Sequence, residues 1–230
     1  MKAMKIALLA GAMVCTTGFS TNWAVTVAET PGGHLIGNPE AETKLSEYIS
    51  YTCGHCATFA REGEPVVKLV YVRSGQVSLE VRHLLRDPID LTAAMLAHCG
   101  PADKFAQNHS VLMLKQSEWL PVAAAATPAQ QQRWSNPDRA AARRAIASDL
   151  DFYEIMETRG YERIEVDRCL ADSAKEAELL QYSRADTARL QLRGTPSFAI
   201  DDQLLGGVHS WQQLQGELDA RTKPATTQGN

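Results

Sequence analysis

The sequence predicts an α/β fold in which a β-α-β segment and a later β-β-α segment are separated by a long helical insertion. Three observations predict it. Two runs with strand-like alternation, 44–51 and 77–83, flank a run with helical spacing. From Asp90 to about Leu192 the chain is rich in Ala, Leu, Glu and Arg and holds almost no strand-like run, the composition of packed helices. A strand pattern then returns at Phe198-Ala199-Ile200.

After a lead containing Pro31-Gly32-Gly33, Gly37-Asn38-Pro39-Glu40 reads as a turn, and Lys44 to Tyr51 as a strand ending two residues before Cys53. Phe59, Val66, Val67, Leu69 and Val70 recur at roughly helical spacing. Gly63 and Pro65 interrupt them, so a kinked helix is expected from the Cys53 region to Val72. Val77, Leu79, Val81 and His83 alternate with Ser78, Glu80 and Arg82 as a second strand. Breaks in the helical insertion are expected at Gly100-Pro101, Pro121, Asn136-Pro137 and Gly160, and Val122 to Gln132 reads as a surface helix or long loop. Asp201-Asp202 turns a hairpin into Leu204-Leu205. Ser210 is a candidate cap for a last amphipathic helix carrying Trp211, Leu214 and Leu218.

The 230 residues suffice for one good-sized core without an external staple. A formal net charge of -4 gives no basic field, so a general attraction to nucleic acid is not expected. Lys2 and Lys5, followed by the apolar run Ile6 to Cys15, resemble an export signal with candidate cleavage points after Ala24 or Ala28. The run falls short of the roughly 20 residues that span a bilayer. Cleavage would remove one of the five cysteines, Cys15. The remaining four, in an oxidising compartment, divide naturally into Cys53 with Cys56 and Cys99 with Cys169. Two buried free thiols at Cys99 and Cys169 are the alternative.

Thr52-Cys53-Gly54-His55-Cys56 places two thiols one helical turn apart where a strand gives way to a helix. At a helix N-terminus the free backbone N–H groups and the dipole stabilise a thiolate, so an exposed Cys53 should titrate below the free thiol value of about 8.5. The thiolate is the attacking species in disulfide exchange. His55 can add positive charge or a hydrogen bond to the same sulfur. A zinc knuckle would need a second close ligand pair, which neither Cys99, Cys169 nor the histidines supply. An inert structural disulfide is disfavoured because two-residue loops between thiols are strained and easily reduced.

Gly37-Asn38-Pro39-Glu40-Ala41, the strand to Tyr51, Cys53-Gly54-His55-Cys56 and Gly194-Thr195-Pro196 together resemble the DsbA-like branch of the thioredoxin superfamily. The resemblance implies a thioredoxin-like fold with an inserted helical domain. It divides the chain into a signal peptide (1–28), an N-terminal thioredoxin-like part (29–88), the inserted helices (89–190), a C-terminal part (191–220) and a disordered tail (221–230). By the same resemblance Cys53 matches the nucleophile and Cys56 the resolving thiol, and Pro196 matches a proline preceded by a cis bond that faces the disulfide. Thr195, Pro196 and Gly54 are then candidate substrate-binding residues. Glu47, six residues before Cys53, matches a partly buried carboxylate that manages the proton of the resolving cysteine. Leu45, Glu47 and Ile49 share one strand face, which favours burial. Gly54-His55 departs from the branch's commoner Pro-His and is the pair of eukaryotic protein disulfide isomerase, which implies an oxidising couple.

The candidate catalytic residues are therefore Cys53, Cys56, His55 and Glu47. The expected activity is a periplasmic oxidase acting on reduced exported proteins as a monomer, with neither metal nor organic cofactor because the dithiol is the redox group. The resemblance suggests a quinone-linked membrane partner of DsbB type for reoxidation. An isomerase or reductase of the same fold is the alternative, supported by Thr195 before the proline, and a thiol-independent holdase or binding module is the alternative of another class. His34, His83, His98, His109 and His209 lack ligand spacing and read as surface or satisfied core residues. Trp119 and Trp134 should pack in or beside the helical domain, and Arg143-Arg144 reads as a solvated helix face.

Overall fold

The computed structural model describes residues 21–222. Among these, six strands form one mixed sheet in the order β1-β2-β4-β3-β5-β6. Where the sequence suggests only a glycine-containing lead, β1 (Val27–Thr30) and β2 (Gly33–Gly37) form an antiparallel hairpin. Pro31 and Gly32 turn it: proline presets φ at the first turn position and Gly32, at φ 75°, supplies the positive angle at the second. The expected boundary at residue 28 falls inside β1, where Ala28 pairs with Leu35. The folded unit begins earlier than residue 29, because Trp23–Val25 form a 3-10 turn and the Thr26 carbonyl accepts the Gly37 N–H at 2.9 Å. The apolar run and Cys15 lie outside the described residues.

At the sheet centre β3 (Thr43–Ile49) and β4 (Val77–His83) run parallel, as a strand-helix-strand crossover requires. β3 stops at Ile49 rather than Tyr51 because the chain turns there, with the Cys53 N–H donating to the Ser50 carbonyl at 3.1 Å. The crossover is broken as expected. α1 (Gly54–Glu62) gives way at Gly63 to α2 (Glu64–Val66), which continues as a π-wound turn over Val67–Val72. Pro65 has no N–H to complete a continuous helix.

The insertion comprises α3 (Pro88–Ala97), α4 (Phe105–Leu114), α5 (Gln116–Ala124), α6 (Pro128–Trp134), α7 (Arg139–Asp149), α8 (Phe152–Glu157), α9 (Arg163–Ala171) and α10 (Ser173–Leu190). α3 starts at Pro88 because Asp87 caps it, its Oδ1 accepting the N–H groups of Ile89 and Asp90 at 2.9 and 2.8 Å. Pro121 does not break the chain but lies inside α5, where its carbonyl still accepts the Ala125 N–H at 3.0 Å. Val122 to Gln132 is neither one helix nor one loop; it spans the end of α5, a short turn and most of α6. Arg143, expected on a solvated face, is buried: its Nε donates to the Leu170 carbonyl at 2.6 Å and its Nη1 meets Glu176 at 2.8 Å. A disulfide joins Cys99 to Cys169, closing a 70-residue separation, a constraint typically worth about 2 to 4 kcal/mol.

The chain returns to the sheet through β5 (Ser197–Ile200) and β6 (Gln203–Leu204), turned by Asp201 and Asp202 at φ 49° and 63°. α11 (Trp211–Asp219) closes the fold. Ser210 holds its N-cap position, but its hydroxyl bonds the Gln213 side chain rather than the helix backbone. Of the expected tail, Arg221 and Thr222 are described, and the Thr222 hydroxyl donates to the Leu218 carbonyl at 2.9 Å.

β3 is buried on both faces. Leu45, Glu47 and Ile49 face the main core under α1 and the insertion, while Tyr48 packs with Leu192 and Ala199 on the other side. The histidines of the core are not all satisfied: His83 and His98 meet through their Nε2 atoms at 2.8 Å, His34 stacks on Phe105, and the Nδ1 atoms of all three lack partners. Burial pushes His34 down to about 4, His83 to about 3 and His98 well below the ordinary imidazole range. Below pH 6.5 the unfolded chain therefore takes up protons that the fold refuses, so acid favours unfolding through these groups. In His83→Leu the slope of unfolding free energy against pH between 6 and 4 should be shallower than in the parent by about 1.4 kcal/mol per pH unit. Denaturant titrations at a series of pH values read it, and an unchanged slope would show that His83 titrates alike in both states.

Candidate active site

Cys53 is the N-cap residue of α1, in extended conformation with φ -102° and ψ 116°. The helix therefore begins with its unpaired amides facing the Cys53 sulfur. Three residues on, Cys56 points into the core and is fully buried, while Cys53 keeps 6% of its surface, less open than expected of an attacking thiol. Across from them the Thr195–Pro196 peptide bond is cis, and the Cys53 S–H donates to the Thr195 carbonyl at 3.2 Å. The Thr195 hydroxyl is buried without a partner while Cys53 is a thiol, and is placed to donate to the sulfur once it is a thiolate.

These surroundings drive the two thiols apart. The Cys56 thiol donating to the Cys53 sulfur is the largest influence on Cys53; against the opposing effect of burial, the Thr195 side chain and the backbone N–H groups of Cys56 and His55 add to it, and Cys53 falls to about 5. Burial, then the hydrogen bond to Cys53 and its charge, pushes Cys56 well above the ordinary thiol value. The helix start thus holds one thiolate and one thiol. His55 contributes through its backbone N–H; its exposed ring makes no hydrogen bond among the described residues. Gly54 is exposed at the first turn, with only the Gln116 side chain near the space a Cβ would take.

Glu47 is buried on β3 beneath this pair, and both of its carboxyl oxygens lack hydrogen-bond partners. Burial first, then the charge of Glu64, raises it well above the ordinary carboxylate range. It is a neutral acid in reach of the electrostatics of Cys56.

Several residues that the sequence did not single out hold the turn before Cys53. Gln116 of α5 donates to the carbonyls of Tyr51 and Cys53 at 2.6 and 2.9 Å. Asp90 of α3 accepts the Ser50 hydroxyl at 2.6 Å and the Tyr51 N–H at 2.7 Å, and burial raises it to about 7. Asp87 accepts the Thr52 hydroxyl at 2.7 Å, and Arg86 reaches both Ser50 and Thr52. Only Asp87-Pro88, a cap followed by a first-position proline, carries a local sequence signal. Among the described residues no group of three His, Cys, Asp or Glu is placed to hold a metal ion.

A dithiol at a helix N-terminus, opposite a cis-proline loop on a sheet with helices inserted between β4 and β5, is the arrangement found in thiol-disulfide oxidoreductases. The chain belongs to the thioredoxin family, which matches residues 29–220. A crystal structure of protein-disulfide isomerase from Novosphingobium aromaticivorans is 42% identical, covers 83% of this chain and 97% of its own, and superposes with a TM-score of 0.80. The structure of Wolbachia pipientis alpha-DsbA1, at 20% identity, TM-score 0.66 and 84% and 92% coverage, shares the DsbA-like fold. A Rickettsia conorii protein with the provisional name protein-disulfide oxidoreductase is 26% identical over 168 residues, 73% of this chain. The chain spans about half the length of that relative, 52%.

Absorbance of the reduced protein at 240 nm should show one thiolate forming with a midpoint of about 5. No second thiolate should appear until well above the ordinary thiol range. Two overlapping midpoints in the ordinary range would contradict the asymmetry of the site.

Proposed function

We propose that the protein introduces disulfides into reduced exported proteins by dithiol-disulfide exchange through Cys53-Gly54-His55-Cys56. The observation that carries this reading is the Cys53 sulfur placed at the amides that open α1, beside the buried Cys56 thiol that donates to it. A stabilised thiolate is a good leaving group, so a disulfide through Cys53 is readily passed on.

A substrate thiolate attacks the Cys53 sulfur of the oxidised pair, the Cys53–Cys56 bond breaks, and the electron pair leaves on Cys56. Cys56 lies in the core, where an unprotected thiolate is costly, and the neutral Glu47 beneath it can deliver a proton. A second substrate thiolate then attacks the substrate sulfur of the mixed disulfide, releasing oxidised substrate and the Cys53 thiolate. Extended substrate backbone can pair beside the cis-Pro196 loop, where Thr195 presents polar backbone next to the reacting sulfurs. The electrons in these steps pass only between substrate and enzyme sulfurs.

A periplasmic location is supported by the export-like N-terminal sequence and by the Cys99–Cys169 bridge, since such bridges persist in oxidising compartments. Reoxidation would fall to a quinone-linked membrane partner of DsbB type, with the protein acting as a monomer. One observation favours a second reading, isomerisation of wrongly paired disulfides: the relative from Novosphingobium aromaticivorans carries the name protein-disulfide isomerase.

The oxidised protein, mixed with a reduced unfolded substrate, should convert substrate thiols to disulfides while losing its own. Cys53→Ser should fall to the uncatalysed rate, and Cys56→Ser, given a disulfide-containing substrate whose bond the Cys53 thiolate opens, should accumulate a mixed disulfide through Cys53. Refolding of a scrambled substrate by the reduced protein alone would favour the isomerase reading. Full function in Cys53→Ser would point to a thiol-independent holdase.

A further inference from the structure

Beneath the active site two carboxyl groups are buried close together, and the fold treats them in opposite ways. Glu47 has no hydrogen-bond partner at either oxygen. Glu64, at the kink between α1 and α2 and 2% exposed, has partners at both: Lys68 Nζ at 2.7 Å from Oε2, and His109 Nε2 at 2.7 Å from Oε1. The chain of bonds runs on, with the Tyr51 hydroxyl 2.9 Å from His109 Nδ1. With its hydrogen on Nε2, His109 donates to Glu64 and accepts from Tyr51, so every polar atom along Tyr51, His109, Glu64 and Lys68 is matched. A buried carboxylate that has collected a cation and a second donor is stable as an anion, and an identical group beside it with neither is not.

We propose that Glu64 is a positioning residue acting through Glu47: held as an anion by Lys68 and His109, it keeps Glu47 a neutral carboxylic acid beneath Cys56. The proposal deepens the thiol-exchange reading and rests on it for its functional consequence. The groups facing Glu47 are few. Its neighbours in the sheet, Val81 of β4 and Phe198 of β5, are uncharged. Cys56 approaches from α1 and Tyr51 from the turn before it, and both feel its charge. Glu64 and Lys68 act from α2 and its continuation, with opposite sign: Glu64 favours the protonated form and Lys68 the ionised one. His109 of α4 reaches the site through Glu64. When the Cys53–Cys56 bond breaks under attack by a thiolate, the electron pair goes to Cys56, and the proton that follows it comes from Glu47. The carboxylate so formed is repelled by Glu64, which favours return of a proton from solvent before the next cycle.

The opposite signs of Glu64 and Lys68 make the proposal testable in a way that a purely structural role would not satisfy. Carboxyl carbon NMR of the full protein follows the titration of Glu47 directly, assigned by its loss in Glu47→Gln. In Glu64→Gln the Glu47 midpoint should move down by about 1 pH unit or more, as expected on losing a like charge at close range. In Lys68→Met, with His109 still holding Glu64 as an anion, it should move up. The rate of reduction of the oxidised protein by excess glutathione, followed against pH, should shift acidward in Glu64→Gln by the same amount and not at all when Glu64→Gln is added to Glu47→Gln. A Glu47 midpoint unmoved in folded Glu64→Gln overturns the proposal, as does an equal rate shift in the Glu47→Gln background. If Glu64→Gln does not fold, the apolar Glu64→Met decides in its place, and a Glu47 midpoint that stays or rises overturns the proposal. The NMR titration needs no catalytic activity, so failure of the exchange reading and failure of this proposal remain distinguishable.

Discussion

The site depends on one asymmetry: two thiols three residues apart, one held as a thiolate at the first amides of a helix and the other held as a thiol in the core. Everything around Cys53 and Cys56 maintains it. β3 carries the chain through the sheet centre and ends at Ile49, α1 starts at Gly54, and the four residues between are fixed by bonds from outside. A helix N-terminus offers its amides only to an atom kept within reach, so the turn must be held rigid for the electrostatics to act.

That rigidity comes from the insertion. Asp90, His109 and Gln116 lie on α3, α4 and α5, and each bonds to the segment Ser50 to Cys53 or to a side chain on it. The inserted helices are therefore part of the active-site support as well as a cover for one sheet face. The bridge between Cys99 and Cys169 ties the end of α3 to α9 and secures the helix that carries Asp90. Buried ionisable groups are concentrated on this same face: Glu47, Glu64, Asp90 and the imidazoles of His34, His83, His98 and His109. Most of them are kept uncharged by burial, and the Glu64–Lys68 pair is an ionic exception among them.

Sequence revealed the chemistry where it is local. Cys53 to Cys56 is contiguous, and the helix start behind it follows from the residues themselves. The side of the sheet that Glu47 faces followed from strand parity, because residues two apart share a face. The β1–β2 hairpin was missed because four- and five-residue strands across a Pro-Gly turn give too short an alternation to stand out. Pro121 misled because a single missing N–H is tolerated within α5. Glu64, Asp90, His109 and Gln116 carried no signal at all: each is a single polar residue on a helix, and only the packing of the insertion onto the sheet brings them to one place. Arg143 was misjudged for the same reason, since its partners Leu170 and Glu176 belong to later helices.

The equilibrium between the Cys53–Cys56 disulfide and glutathione tests the central claim most directly. A fold that stabilises the reduced form by holding Cys53 as a thiolate predicts a reduction potential between about -120 and -180 mV, the span from a strong oxidant to protein disulfide isomerase. A potential near about -270 mV, like that of thioredoxin, would contradict it: the disulfide would then be the favoured state and the protein a reductase.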